Sequence, residues 1–417
     1  MANIYDKASL VMIPSGTKTS KIFSQKPVNG DGDFTFSRST AATRVNADGN
    51  IEKETQNLLL QSNTFNTTWV LESGDYTIAS GQSGYDGSSD AWLLTKASTD
   101  NRYLIQSGLT NIGVVTLSIY AKAGTADGIM IYSHGGYGRW NLSTGVQINS
   151  GGDKIDTNIE SVGNGWYRCS VVSQGTGVFF VKVVDSSGVE TAGSIYIQDA
   201  QVEQGLVARD YIETTTAAVE GGITDNVPRL DYTDSSCPAL LLEPQRTNVL
   251  TNSEYFSGWS TAGGTITRTD NATTSPEGVD NAARVVSSST GARMRGGNVS
   301  VTSGEKWTYS IFAKENTTDS FIMRHEVSAN FSVTFDLGDE SFTGSGGWYD
   351  DAAIEDYGDG WYRCIVYLTA DSTENRSFEL VFYNNDDLYF YGAQVEAGSY
   401  ATSYIPTYGT SVTRNLD

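Results

Sequence analysis

Apolar and polar residues alternate in short runs along this chain, and no stretch keeps a 3.6-residue apolar period for three helical turns. In the run GWYRCSV, for example, Tyr167, Cys169 and Val171 share one side of an extended strand. Asp-Gly, Asn-Gly and Gly-Gly pairs, which favour tight turns, separate such runs. The pattern predicts antiparallel β-sandwiches of the jelly-roll kind, although it does not distinguish a jelly roll from another sandwich topology.

The same sequence blocks occur twice, in the same order and 191 to 195 positions apart. The repeated blocks are GNGWYRCSV (Gly163–Val171) with GDGWYRCIV (Gly358–Val366), NLLLQSNTFNTTW (Asn57–Trp69) with NVLTNSEYFSGW (Asn248–Trp259), LSIYAK (Leu117–Lys122) with YSIFAK (Tyr309–Lys314), and IYIQDAQVEQGLVARDYI (Ile195–Ile212) with LYFYGAQVEAGSYATSYI (Leu388–Ile405). Each copy spans roughly 160 residues, which is the size of a domain. We therefore predict two tandem sandwiches, at residues 55–216 and 247–417.

The repeated phrase WYRC has a structural and a functional interpretation. Tyr167, Cys169 and Val171 are expected to face the core. On the other strand face, Trp166 and Arg168 could form a platform for a sugar, or a cation–π contact that seals the sandwich. The structural interpretation is favoured, since the neighbouring blocks repeat as well.

Charge limits the possible partners. The chain carries 49 acidic and 27 basic residues, a formal net charge of −22. Such a surface repels phosphate, so we expect no nucleic-acid binding. No apolar run approaches the roughly 20 residues that span a bilayer, so we expect no membrane insertion. The first residues, MANIYDKASLVMIPSG, do not resemble a secretory signal, which argues against export by that route.

Cysteine and acidic residues raise the questions of disulfides and metals. Cys169 and Cys364 occupy equivalent repeat positions, and Cys237 lies between the repeats, so all three are expected as free thiols. No cofactor is expected. The acidic loops YDGSSD (Tyr85–Asp90) and YNNDD (Tyr383–Asp387) could hold a structural Ca²⁺, with solvated turns as the alternative.

Candidate sugar-binding residues lie where aromatic and polar side chains meet a glycine-rich turn. In the first repeat these are Tyr137, Arg139 and Trp140, within SHGGYGRW. In the second repeat the loop SGGWYDD supplies a further set, consisting of Trp348, Tyr349 and Asp350. An aromatic ring packed under a loop is the structural alternative for each set.

Catalytic signatures are missing from the sequence, which contains no GxSxG, HExxH, phosphate-loop or Cys–His arrangement. A glycosidase would need two carboxylates held about 5 to 10 Å apart. With 49 acidic residues such a pair can always be imagined, so composition does not argue for one. We therefore predict that the protein is not an enzyme and assign no catalytic residues, with polysaccharide degradation as the less favoured alternative.

Two further segments carry a resemblance to known proteins. FTFSRSTAATRVNADGNIE (Phe34–Glu52) and NVPRLDYTDSSCPALLLEPQRTNVL (Asn226–Leu250) resemble segments of structural proteins of tailed bacteriophages. The repeats, with GWYRC and AQVE, are similar to lectin-like modules of phage spikes and fibres.

The resemblance implies a component of a virion surface, assembled in the host cytoplasm, on a head fibre, head decoration or tail fibre. Its partners would be other capsid or tail proteins and host-surface polysaccharide. Its oligomeric state is left open, with a trimer, as in many fibres, among the options. A purely structural decoration protein is the alternative. Residues 1–54 are the candidate attachment segment.

In the phage proteins that this chain resembles, the two segments tend to follow one another directly. Here the first sandwich separates them, which looks like a domain insertion. Neither segment can bury a core alone. We therefore expect residues 34–52 to pack against residues 226–243 of the 217–246 linker, as paired strands.

Overall fold

The computed structural model describes residues 4–72, 74–109, 113–133, 135–175, 177–233, 235–326 and 330–417. These residues form two compact units. Residues 55–220 make up the first, named the inserted unit, and residues 1–54 with 221–417 make up the second, named the framing unit. Within the described ranges no helix is long and apolar enough to cross a bilayer.

The framing unit begins with one helical turn and five short strands. These elements are α1 (Ile4–Lys7), β1 (Val11–Lys18), β2 (Lys21–Lys26), β3 (Phe34–Thr35), β4 (Arg44–Val45) and β5 (Ile51–Glu52). β2 pairs with both β1 and β3, and β4 pairs with β5. The β4–β5 turn contains Gly49 at φ +84°, a conformation that glycine adopts without strain.

The inserted unit contains a sandwich of two six-stranded antiparallel sheets and one two-stranded sheet, formed by its first and last strands. Its strands are β6 (Thr55–Asn57), β7 (Val70–Leu71), β8 (Tyr76–Gln82), β9 (Ala91–Lys96), β10 (Leu104–Leu109), β11 (Val114–Ala123), β12 (Gly128–Ser133), β13 (Gly136–Asn141), β14 (Val146–Gly152), β15 (Lys154–Gly163), β16 (Trp166–Gln174), β17 (Gly177–Val184), β18 (Gly193–Gln204) and β19 (Val219–Gly221). The sheet orders are β14-β13-β12-β17-β10-β7 and β15-β16-β11-β18-β9-β8. Leu117, Ile119 and Val181 are among the fully buried residues between the sheets.

The rest of the framing unit contains a second sandwich. Its elements are β20 (Arg229–Asp231), β21 (Ala239–Leu241), β22 (Arg246–Asn248), a 3₁₀ turn (Phe256–Gly258), β23 (Ser260–Ala262), β24 (Ile266–Thr273), β25 (Ala282–Ser287), β26 (Ala292–Val301), β27 (Lys306–Glu315), β28 (Ser320–His325), β29 (Ser332–Asp336), β30 (Ser341–Ser345), β31 (Tyr349–Asp356), β32 (Trp361–Thr369), β33 (Glu374–Phe382), β34 (Asp387–Ala397) and β35 (Val412–Arg414). Its sheets, β23-β26-β33-β28-β29-β30 and β24-β25-β34-β27-β32-β31, have the same topology as those of the inserted unit. The predicted all-β fold with two homologous sandwiches is confirmed.

The repeated phrase WYRC is part of the core in each sandwich. Cys169 is fully buried between the sheets, as predicted. Trp166 lies on the opposite face of the same strand, where it is buried against Tyr120. The Arg168 guanidinium lies 5.3 Å from the Tyr120 ring centroid, so the cation–π contact has a different aromatic partner from the expected Trp166. Cys169, Cys364 and Cys237 are free thiols, the last one exposed.

In each sandwich a repeated asparagine forms hydrogen bonds with the backbone of neighbouring segments. Asn57 Nδ2 donates to the backbone oxygens of Ala200 (3.1 Å) and Ile212 (2.8 Å), and its Oδ1 accepts from two backbone N–H groups. Asn248 makes the four equivalent bonds in the framing unit. A buried polar group must be hydrogen-bonded, so these repeated asparagines are explained by structure alone.

Residues 34–52 and 226–243 contact each other within the framing unit. The Val45 N–H donates to Asp231 Oδ1 at 2.9 Å, and the Tyr232 N–H donates to the Val45 oxygen at 3.1 Å. The two segments do not form the expected paired strands, because β4 pairs with β5 and β20 pairs with β21. The contact joins two small hairpins instead.

Buried ion pairs hold these hairpins to the end of the chain. Arg38 Nη1 lies 2.7 Å from Asp417 Oδ1, and Arg229 also binds Asp417. Arg229 and Arg414 both contact Glu243 Oε2, at 2.8 and 2.7 Å. Burial alone would raise the pKa of Glu243, but the Arg414 and Arg229 guanidiniums outweigh it and hold this pKa below its ordinary value.

Candidate functional site

The outward face of one sheet of the inserted unit carries a row of aromatic and apolar side chains. The register places Ile105 beside Phe180, Phe180 beside Tyr132, and Tyr132 beside Tyr137. All four are half-buried, whereas their neighbours along β12 and β17 are fully buried in the core. Side chains at facing register positions share one face of a sheet. Together with Tyr103, this row is named the aromatic face.

Neighbouring rings of the aromatic face are stacked nearly parallel to one another. The Tyr132 and Phe180 centroids are 4.4 Å apart with planes 5° from parallel, and those of Tyr103 and Phe180 are 4.8 Å apart at 20°. Tyr137 lies over Gly151, where an added Cβ would come within 2.8 Å of the Tyr137 hydroxyl. Glycine at this position therefore lets the outermost ring lie down on the sheet.

An arginine borders the aromatic face on the β13 side. The Arg139 guanidinium lies 4.5 Å from the Tyr137 ring centroid, in a cation–π contact. Its Nη1 donates to Asn149 Oδ1 at 3.1 Å. The edge of the ring surface therefore offers guanidinium and amide groups to a ligand.

A buried ion cluster supports the other end of the aromatic face. The Lys182 ammonium lies 5.3 Å from the Phe180 ring centroid and 5.8 Å from that of Tyr103. It also lies 2.8 Å from Glu190 Oε1, while Lys96 approaches Glu190 Oε2 at 3.1 Å. Glu190, whose side chain is 21% exposed, is thus held between two ammonium groups beside this end of the aromatic face.

The structure separates the three residues that were predicted in SHGGYGRW. Tyr137 and Arg139 lie together on the aromatic face. Trp140 points to the other side of the strand and is fully buried, with its ring against Gly138. A buried indole has no face for a sugar, because alternation along β13 turns every second residue into the core.

The second predicted set does not form an exposed site. Trp348 is 1% exposed, and its ring centroid lies 5.1 Å from that of His325, so its ring is part of the core. Tyr349 and Asp350 begin strand β31 instead of lying in a loop. Tyr349 is half-buried, and exposed Asp350 accepts a hydrogen bond from Thr369 at 2.6 Å.

Sequence reasoning missed four residues of the aromatic face, namely Tyr103, Ile105, Tyr132 and Phe180. A weak signal was present in GIMIYS and VFFVKVV, where apolar residues occupy both parities of a strand. Such a strand has either two buried faces or an apolar outer face. Only the register between strands shows that these residues lie side by side.

Polar groups of the acidic loop Tyr85–Asp90 form hydrogen bonds with other protein groups. Gln198 Nε2 donates to Asp90 Oδ1 at 2.8 Å, and the Tyr85 hydroxyl donates to Asp199 Oδ2 at 3.0 Å. Burial raises the pKa of Asp199 to about 7, and the Asp90 and Asp86 carboxylates add to this effect.

The second acidic loop, at residues 383–387, is also engaged by a protein cation, since Asp387 pairs with Arg284 at 2.6 Å. Across the part of the chain that the structure describes, no group of three or more His, Cys, Asp or Glu side chains is arranged to hold a metal ion.

Two buried glutamates in the framing unit are the nearest approach to a catalytic carboxylate pair. Lys53 Nζ lies 2.8 Å from Glu254 Oε1 and 3.0 Å from Glu277 Oε2. The Tyr391 hydroxyl donates to Glu277 Oε2 at 3.0 Å. All three charged side chains are at least nine-tenths buried. The cluster therefore anchors Lys53 in the second sandwich and has no open approach for a substrate.

The chain has the architecture of a tandem β-sandwich protein. No family model matches it, and neither does any curated protein. Among solved structures it is similar to the N-terminal CBM22-1–CBM22-2 tandem domain from Paenibacillus barcinonensis Xyn10C, with 12% sequence identity and a TM-score of 0.26 over 82% of this chain and 97% of that one. So loose a similarity says nothing about ligands, which must be argued from the side chains.

Proposed function

We propose that this protein is a non-enzymatic component of a bacteriophage virion surface that attaches the particle to host-surface glycans. The aromatic face of the inserted unit is the observation that carries the glycan-binding part of this proposal. Sugar rings present C–H groups on their faces and hydroxyls at their edges. An apolar surface of aromatic side chains bordered by hydrogen-bonding groups complements both.

Each part of the aromatic face has a role in this proposal. Phe180 is stacked between Tyr132 and Tyr103, so these rings offer their edges, and Tyr137 continues the row on the next strand. Arg139 and Asn149 offer donors and an acceptor at the edge of the line. A row that crosses several strands suits an extended polysaccharide better than a single sugar.

The chemistry of the face favours binding over hydrolysis. A glycosidase needs a carboxylic acid and a second carboxylate beside the scissile bond. The aromatic face consists of tyrosine, phenylalanine and isoleucine, and Glu190 at one end of it is paired with Lys182 and Lys96. A ligand on these rings therefore meets no carboxylate pair among the described residues of the face.

The virion part of the proposal is supported by the resemblance of Phe34–Glu52 and Asn226–Leu250 to phage structural proteins. Both segments belong to the framing unit, which would attach to capsid or tail partners on a head fibre, head decoration or tail fibre. Many chains on one particle would raise the overall affinity for a surface, since each further contact is intramolecular. The position of the protein in a virion map tests this part.

A glycan array and host polysaccharides, probed with the full chain, test the binding part. We expect Tyr132→Ala and Phe180→Ala to weaken binding at least tenfold while the melting transition is retained. Tyr400→Ala is the matched control, because Tyr400 is an exposed tyrosine away from the aromatic face. Its ring centroid lies 5.3 Å from the Arg246 guanidinium, a cation–π contact of the kind that Tyr137 makes with Arg139.

Three results would count against the proposal. Binding that survives both aromatic substitutions would place the glycan elsewhere. Silence across host polysaccharides would favour the alternative of a purely structural decoration protein. Release of reducing ends at catalytic rates would show an enzyme.

A further inference from the structure

The second sandwich carries arginines at two register positions where the first has an isoleucine and a tyrosine. Arg295 and Arg324 flank Glu379, just as Ile105 and Tyr132 flank Phe180. Arg295 Nε donates to Glu379 Oε1 and Arg324 Nε donates to Oε2, both at 2.8 Å.

A third arginine, Arg293, lies 4.0 Å from the carboxylate of Glu379. The set of Arg293, Arg295 and Arg324 is named the arginine face. Each of its three side chains is 19 to 29% exposed, whereas the Glu379 side chain is fully buried. Solvent therefore reaches the guanidiniums and not the carboxylate beneath them.

The arginine face has more donors than the described residues satisfy. Its second acid is Glu326, 3.5 Å from Arg295, so three guanidiniums meet two carboxylates in a chain with a formal net charge of −22. Among the described residues, Arg324 has hydrogen bonds only through Nε, and Arg293 Nε is buried without a partner. Buried and half-buried donors of this kind call for an acceptor.

The surroundings of the arginine face suit a sugar better than a bare anion. The register places Ser332 beside Arg324 and Thr334 beside Ile322, and all of these side chains are half-buried. Val381 lies beside Ile322 on the next strand. Hydroxyl groups and small apolar patches thus adjoin the cations.

We infer that the arginine face binds a saccharide chain that carries carboxylate groups. This inference extends the proposed function to a second site with its own ligand class. A planar guanidinium can form paired, charge-assisted hydrogen bonds with a carboxylate. Glu379 engages one N–H of Arg295 and one of Arg324, both at Nε. Neutral sugar on the aromatic rings of the inserted unit and uronate on the arginines of the framing unit would together select a mixed, acidic polysaccharide.

Titration of the full chain with alginate, a uronate polymer, at two salt concentrations tests this inference. We expect binding that weakens with salt, and a loss of at least tenfold in affinity for Arg324→Gln. Arg376→Gln is the control, since it removes the same charge from β33 at an exposed position where Arg376 pairs with Glu374 at 3.5 Å. It should bind alginate like the parent chain.

Arg293→Gln provides a second variant that leaves both hydrogen bonds of Glu379 in place, in case Arg324→Gln fails to fold. It should also weaken alginate binding. The inference is overturned if neither variant changes alginate affinity, if alginate does not bind, or if duplex DNA binds equally well, which would indicate a general polyanion surface.

Neutral-glycan binding by the same variants separates this inference from the proposed function. Loss of alginate binding in Arg324→Gln with neutral binding retained supports both. If the variants retain neutral-glycan binding and also bind alginate like the parent chain, the inference about the arginine face is wrong and the proposed function stands.

Discussion

Asp199 should make the stability of the inserted unit fall as the pH rises. Its side chain is 5% exposed, and its pKa is about 7 in the folded unit against an ordinary value of 3.8. Between these two values the folded state holds a proton that the unfolded state has lost. The contribution of Asp199 to the unfolding free energy is therefore full below about pH 4 and is lost as the pH rises from about 4 to about 7.

The size of the effect follows from the pKa difference. One pKa unit corresponds to about 1.4 kcal/mol, so the inserted unit should lose at most about 4 kcal/mol across this range. Asp199→Asn keeps an oxygen for the Tyr85 hydroxyl, which now donates at 3.0 Å, and cannot ionise. Asparagine also tolerates the φ of +50° found at this position. The variant should therefore lose the Asp199 part of this pH dependence and be more stable than the parent at pH 7, while buried Glu203, whose pKa is also raised, keeps its own part.

Hydrogen exchange of the full chain separates the two units, because peptides from residues 55–220 report only the inserted unit. Protection in these peptides, corrected for intrinsic exchange, should decline with pH in the parent and decline clearly less in Asp199→Asn. Asp100→Asn, at an exposed aspartate of the same unit, should behave like the parent. An equal decline in the parent and in Asp199→Asn would refute this reasoning.

Three further perturbations test the buried polar groups. Lys53→Met should lower the unfolding free energy of the framing unit by about 3–5 kcal/mol in denaturant melts, because it leaves Glu254 and Glu277 buried without their cation. A change below about 1 kcal/mol would mean that water reaches this cluster. Asn57→Ala should cost the inserted unit on the order of 2–3 kcal/mol by hydrogen exchange, since four hydrogen bonds are lost, and an unchanged protection pattern would show that the repeated asparagine is dispensable. Burial lowers the pKa of His325 to about 4, so the framing unit should lose up to about 3 kcal/mol as the pH falls from 6.5 to 4, and His325→Gln should abolish that loss.

The fold was predictable because its signals are local or repeated. Alternation in WYRC placed Cys169 and Cys364 in separate cores, and the repeated blocks implied one topology twice. The repeated Asn57 and Asn248 mark the same hydrogen-bonded fastening in both copies.

The site was only partly predictable, because it depends on strand parity and on long-range register. Tyr137 and Arg139 were found through their neighbouring glycines, but the same rule also selected Trp140, which has core parity. Tyr132 and Phe180 are 48 positions apart and meet only because β12 pairs with β17 at that register. Alternation within one strand carries no information about such a pairing.

Mapping of a bound host glycan by NMR chemical shifts on the full chain tests the central claim most directly. Aromatic resonances of Tyr132, Tyr137 and Phe180 should shift together and saturate with the same affinity, while those of buried Trp140 and Trp348 stay in place. Saturable binding that leaves all three of these resonances unmoved would contradict the assignment of the aromatic face as the glycan site.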